Sequence, residues 1–227
     1  MDFLKKIVSK KKEQAEAGPT SLEQANQKIA QYEAKMHEYY HRLLLLDMLL
    51  NRYGQHINEK EAKTVQDLKE MVQPDNTNIK ELVEKLKKED PDAPQQALLK
   101  KAFEFIRDEI DSVPSLGVNF WMTIKEMLDN SIADYEDKAI FLCSLFEALG
   151  ADSRIMIAEF SGGSNRPLVL IDMKGSYRLC DPNASHEFEK YVGQLDDILA
   201  KYEFNGEKIV KRMYEFNDKM YDSHEEE

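Results

Sequence analysis

Between Leu22 and Tyr53, apolar and aromatic residues recur at alternating steps of three and four: Leu22, Ala25, Ile29, Tyr32, Met36, Tyr39, Leu43, Leu46, Leu50 and Tyr53. That spacing predicts one long helix carrying a heptad seam. Pro19 followed by Thr20 or Ser21 is its start signal and Gly54 its stop. At ~1.5 Å per residue the helix is roughly 48 Å long, more than a small domain covers. Either a second copy or a partner helix closes the seam, or Leu43 to Tyr53 packs on the globular part and the polar N-terminal end stays solvated.

Asn58 with Glu61 has the pattern of a capping box and opens a second helix, with Ala62, Val65, Leu68 and Val72 on one face, that ends before Pro74. A short helix with Ile79, Leu82, Val83 and Leu86 inward lies between Pro74 and Pro91. The next, Ala97 to Asp111, turns Leu98, Leu99, Ala102, Phe105, Ile106 and Ile110 inward. After a helix that carries Ile140, Phe141, Leu142, Leu145, Phe146 and Leu149, the period changes from helical to alternating. SRIMIAEF, PLVLIDM and SYRLCD read as three strands, separated by SGGSNR and by a tight turn at Lys174-Gly175. From Phe188 onward the chain reads as helical again, with Asn205-Gly206 dividing two final helices and DSHEEE a disordered tail. At the other end, MDFLKKIVSKKK puts Phe3, Leu4, Ile7 and Val8 on one face among lysines, a pattern suited to weak contact with an anionic membrane surface. A hinge, EQAEAGPTS, follows it.

Composition narrows the function classes. The 227 residues have a formal net charge of -12 and 33% charged residues, which argues against a nucleic-acid partner, since phosphate binding needs a dense basic surface. The longest apolar run, LLLLDMLL, is short and broken by Asp47, so no membrane span is expected. No secretory signal is readable. The two cysteines lack framework or metal-type spacing, which points to a reducing cytoplasm, peripheral to the membrane if the basic segment docks. No phosphate-cradling glycine loop and no His/Cys cluster suggests a cofactor or a metal.

Three stretches in the second half are similar in order and spacing to the core of the transglutaminase-like superfamily, which includes the papain-type cysteine proteases. They are ADYEDKAIFLCSLFEALG, ADSRIMIAEF and RPLVLIDMKGSYRLCDPN. The resemblance implies an α+β fold, with a central helix packed on a small antiparallel sheet and Arg154 in a structural role. It also places Tyr135 where the family carries its nucleophilic Cys and Arg166 where it carries its general-base His, while Asp181 is retained. A phenol lacks thiolate-like nucleophilicity near neutral pH, and a guanidinium neither accepts nor shuttles a proton. Arg166 can instead form a charge-assisted pair with Asp181. Cys143, two turns into the apolar helix, and Cys180 read as buried thiols, and His186 as a capping or surface residue.

The organisation expected is a basic segment and hinge over 1–21, a helical or coiled-coil region over 22–90, a transglutaminase-like domain over 92–221 and an acidic tail over 222–227. The function expected is that of a non-catalytic peptide- or protein-binding or scaffolding module, with a homodimer through Leu22 to Tyr53. Its cleft is expected to include Trp121, Tyr135, Arg166, Tyr177 and Asp181. A diverged cysteine protease, amidase or transglutaminase using another nucleophile is the alternative, and an adaptor acting through the stalk at a membrane surface is a third.

Overall fold

The computed structural model describes residues 22–224; the expected membrane-contact segment and hinge, and the last three tail residues, lie outside them. By its contacts the chain divides into two compact units, Met1–Gln55 and His56–Glu227.

Helix α1 spans Leu22–Glu61 and is 40 residues long. It runs through Gly54 instead of stopping there, since one interior glycine costs only about 1 kcal/mol against the turns that follow. The expected cap at Asn58 and Glu61 is displaced as well: the Asn58 side chain accepts the backbone N–H of Asn119 at 2.6 Å. Helix α2 (Val65–Met71) begins later, on a reciprocal capping box between Thr64 and Asp67. In the described part of the first unit, Ile29, Tyr32, Met36, Tyr39, Leu43, Leu46 and Tyr53 are all exposed.

The second unit has three layers. Helices α3 (Thr77–Glu89), α4 (Gln95–Glu109), α5 (Ile124–Asn130) and α6 (Tyr135–Ala148) share one core with one face of a sheet. That core includes Ile79, Phe103, Phe141 and Phe146, with Ile155, Val169, Ile171 and Cys180 from the strands. The opposite face, with Met156, Phe160, Leu168, Leu170 and Leu179, is covered by Ile198, Leu199 and Tyr202, contributed by and just after α7 (Leu195–Lys201). Burial on both faces explains why β4 (Asn165–Asp172) reads as a nearly continuous apolar run rather than an alternation.

The sheet is larger than the three strands expected. Its order is β6 (Val192–Gly193), β5 (Tyr177–Cys180), β4, β3 (Asp152–Phe160), β8 (Glu207–Phe216) and β7 (Glu203–Phe204), with β9 (Tyr221–Ser223) also on β8. A separate two-residue parallel ladder joins β1 (Asp111–Ser112) to β2 (Ile132–Ala133). The expected C-terminal helices are therefore corrected: the first shrinks to α7, and the second is a strand. Asn205 and Gly206, at φ of 53° and 83°, make the left-handed two-residue turn of a hairpin between β7 and β8. Strand β8 has helix-compatible residues, but its partner decides: it lies antiparallel to β3 from Phe160 to Ile155, with two register shifts. Asp222 likewise pairs with Glu215 instead of opening a disordered tail.

The compact unit begins at His56, not at Asp92, because Val72, Ile79, Leu82, Val83 and Leu86 belong to the same core as α6. A fragment from His56 to Glu227 should unfold cooperatively with the thermal signature of the full chain's globular part. One starting at Asp92 should lose its near-ultraviolet circular dichroism, because it exposes the α6 face that α3 covers. A cooperative, native-like Asp92 fragment would contradict this boundary.

Candidate functional site

The start of α6 is built to hold its first residues in place. The Asp134 side chain caps the helix by accepting the N–H of Asp137 at 2.9 Å. The β1–β2 ladder anchors the two residues before the cap. Tyr135, the first helical residue, keeps 38% of its surface exposed. Arg166 is near the start of β4, opposite Ala158 of β3, and is buried. Asp181 follows directly on β5 and is fully buried.

These three residues, distant in sequence, converge. The Arg166 guanidinium carbon is 4.5 Å from the centre of the Tyr135 ring and 3.4 Å from that of Phe204. Its Nη2 is 4.0 Å from Asp181 Oδ2, while its Nε is buried without a hydrogen-bond partner. Two aromatic rings therefore flank the cation, and its ion pair with the carboxylate is a long one. The nearest partner of Asp181 is Tyr202, whose hydroxyl donates to Oδ2; the backbone N–H of Asn183 donates to Oδ1 at 2.8 Å. Burial and the neighbouring carboxylate push the Tyr202 phenol well above its ordinary range, so it remains a donor. Asn183 Nδ2 also reaches the Tyr135 carbonyl at 3.5 Å.

His186 is buried rather than on the surface. Its Nε2 accepts the backbone N–H of Asp181 at 3.1 Å, so the proton lies on Nδ1, which donates to the Glu187 carbonyl at 3.0 Å. Burial lowers the pKa of this imidazole and favours the neutral ring. The ring stacks on Phe103, with Tyr191 and Tyr202 edge-on. Both nitrogens are thus occupied in holding the loop after Asp181.

The α6 start also carries a buried charge cluster. Lys138 Nζ donates to the Ile110 carbonyl at 2.7 Å and to Ser112 Oγ at 3.1 Å, and burial lowers its pKa against the pull of Asp181, Asp111 and Asp108. The Asp137 carboxyl is raised to about 8, chiefly by burial and then by Asp134, even though it accepts the N–H of Met122. Burial raises Asp134 and Glu136 as well. Neither thiol is near solvent. Cys143 and Cys180 are fully buried; burial pushes the Cys143 thiol up to about 12 and raises that of Cys180.

Trp121 and Tyr177 lie elsewhere. The Trp121 indole N–H donates to the Glu61 carbonyl at 3.2 Å, in a depression shared with Lys63, Met71 and Ile140. Tyr177 lies under Arg154, 5.3 Å from its ring centre, and Arg154 pairs with Glu215. Tyr202 and Phe204, which complete the Arg166–Asp181 arrangement, escape sequence reading because their segment scans as helix. Asn205-Gly206, a strong hairpin signal, is the clue that locates them. Two open depressions, of about 370 and 360 Å³, lie on either side of the Asn183–Ser185 loop; the first is floored by Lys138 and Ile110, the second by Tyr191, Tyr202 and Phe204.

The architecture is α+β: a buried helix lies against an antiparallel sheet, with its first residue facing β4 and the end of β5. Comparison with solved structures finds three of Legionella pneumophila LapG. The calcium-bound form is 18% identical at a TM-score of 0.47, covering 65% of this chain and 77% of that one. The EGTA-treated form is 16% identical at 0.48, covering 76% and 86%. A third is 15% identical at 0.48, covering 75% and 87%. No protein-family model and no curated protein sequence matches the chain. At these values the likeness says nothing about activity.

Two outcomes follow from the geometry. Arg166→Ala should lower the unfolding free energy by about 2–3 kcal/mol, because it strips the cation from a buried carboxylate, and Tyr202→Phe by about 1–3 kcal/mol through the lost hydroxyl donor. Denaturant titration reads both, and a change within ~0.5 kcal/mol of zero for Arg166→Ala would deny the cation any structural role. Asp137, raised to about 8 in the folded chain, holds a proton that the unfolded chain releases near pH ~4. Its contribution to stability therefore declines as pH rises through that window and levels off above it. Asp137→Asn keeps an acceptor for Met122 and should match the parent near pH ~4 and exceed it by at least ~1 kcal/mol at pH 8; parallel pH profiles would rule out a buried, protonated Asp137.

Proposed function

We propose that this chain is a non-catalytic transglutaminase-like protein whose former active-site positions have become a structural clasp, and that it acts by binding a peptide or protein. One observation carries the reading: the Arg166 guanidinium is held between the Tyr135 and Phe204 rings beside a buried Asp181. Acyl transfer in this fold needs a thiolate at the helix start and an imidazole that exchanges protons with it. Tyr135 and Arg166 supply neither, and the guanidinium is instead engaged by two aromatic rings and a carboxylate. The depths of Cys143 and Cys180 count against a replacement nucleophile. The binding half of the reading is supported by the two depressions beside Asn183, which survive outside the filled centre.

Thiol chemistry tests the first half. Labelling of the folded protein by iodoacetamide across pH 5 to 9, with Cys143→Ala as control, should be slow and should require denaturant; fast labelling of Cys143 at low pH would restore the enzyme reading. A displayed library of extended peptides, panned on the parent and on Asn183→Trp, tests the second. Peptides retained by the parent and lost from the variant are expected, and a peptide pool indifferent to Asn183 would remove the loop from the binding surface.

A further inference from the structure

Helix α1 leaves its seam uncovered. Ile29, Tyr32, Met36, Tyr39, Leu43, Leu46 and Tyr53 are each more than half exposed, from 51% to 67%. At roughly 100 Å² apiece these side chains present about 700 Å² of apolar surface in a line. That exceeds the largest patch of an ordinary monomer and approaches the ~800 Å² per partner of a stable interface.

We propose that a second copy of this chain covers it, through a parallel, in-register two-stranded coiled coil along the Leu22 to Tyr53 seam. The flanking charges select both the partner and its direction. With Ile29, Met36, Leu43 and Leu50 at the a positions and Tyr32, Tyr39, Leu46 and Tyr53 at d, the g positions are Lys28, Lys35, Arg42 and Leu49. The e positions from Glu33 onward are Glu33, Tyr40, Asp47 and Gly54. In a parallel pair each g residue meets the e residue of the next heptad on the other helix. Lys28 then meets Glu33 of the partner subunit and Arg42 meets Asp47 of the partner subunit, each contact occurring twice by symmetry. In an antiparallel pair g faces g and e faces e; in the register that sets residue 29 against residue 46, Lys35 meets Arg42 in a repulsive contact, while Glu33 and Asp47 meet only the uncharged Tyr40 and Asn26. All four side chains of the parallel contacts are exposed, and the hydrogen bond that Asp47 accepts from Asn51 Nδ2, at 3.1 Å, is exposed as well. The intrahelical ion pair that Arg42 makes with Glu38, at 2.7 Å, is exposed on both sides and therefore weak.

Local net charge supports the same partner. Between Leu22 and Gln55 the four acidic side chains are matched by four basic ones, in a chain whose net charge is -12. Two copies meet with least repulsion along this neutral stretch. Leu44, Leu45 and Met48 lie at b, c and f, on the outer face of the dimer. The inference does not depend on whether the Arg166 site is catalytic.

Sedimentation equilibrium of the full chain should give the mass of a dimer. Ile29→Cys should form a disulfide-linked dimer on mild oxidation, because the two copies of residue 29 are adjacent in the parallel pair. In the antiparallel pair residue 29 faces residue 46, and the two copies are about 25 Å apart. The double variant Lys28→Glu with Arg42→Glu should weaken dimerisation at least about tenfold while its circular dichroism stays helical, and adding Glu33→Lys with Asp47→Lys should restore it. Four results would each overturn the proposal: a monomer at every concentration, a trimer or larger species, a dimer that resists cross-linking at residue 29, or a dissociation constant indifferent to the charge reversal.

Discussion

Helix α6 has no solvent-facing side between Asp137 and Phe146, and a helix apolar all round must be covered all round. Strands β3 and β4 cover one side, and α3 and α4 cover the other. The requirement explains why the globular unit needs residues well upstream of the segment that resembles a known fold, and why its sheet is buried on both faces. It also sets a problem at the helix start, where Asp137 and Lys138 enter the covered region. An unpaired charge there would cost several kcal/mol. Lys138 meets it with a backbone carbonyl and a hydroxyl from the β1 segment, and Asp137 by keeping its proton.

The same constraint governs the site. Asp181 lies under the start of α6 with no access to water, so its oxygens must be answered from within. Tyr202, Asn183 and, at longer range, Arg166 answer them. A catalytic arrangement would spend that carboxylate on orienting an imidazole. On the proposed reading it is spent on the stability of the loop and of β7, and a fixed cation between two aromatic rings replaces a mobile proton. Arg166 is suited to this because its flat guanidinium can lie against ring faces on both sides, as an ammonium cannot.

How much of this was legible in the sequence depended on the range of the interaction that decided it. The α6 helix, β3 to β5 and the convergence of residues 135, 166 and 181 were legible because the periodicities are strong and the resemblance covers those stretches. Burial of Cys143 followed from its place in an apolar helix. Strand β8 was not legible: Glu207 to Phe216 contains Lys, Glu and Met, which suit a helix, and only its pairing with β3 makes it a strand. Reading the segment before Asn205 as helix through Phe204 likewise hid Tyr202 and Phe204, and with them the close contacts of Arg166 and Asp181. The capping box at Asn58 failed for a related reason, since continuing α1 for another turn and bonding Asn58 to Asn119 is a gain from outside the local sequence.

The two units meet the same demand, that apolar surface be removed from water, by different means. The globular unit folds three layers around α6. The described part of the first unit is one helix, and one helix cannot bury its own seam, so its covering must come from elsewhere. Net charge constrains what that can be: strongly acidic chains repel one another, and an apolar stripe on an acidic surface would contribute little to self-association until that repulsion was overcome. The seam lies where the charge is balanced, with Lys28, Lys35 and Arg42 on one flank and Glu33 and Asp47 on the other. Added salt would then screen both the attraction between flanks and the repulsion between whole chains. The two effects oppose each other, so on the proposed reading the apolar layers along the a and d positions supply most of the affinity, while the flanks add to it and set the direction.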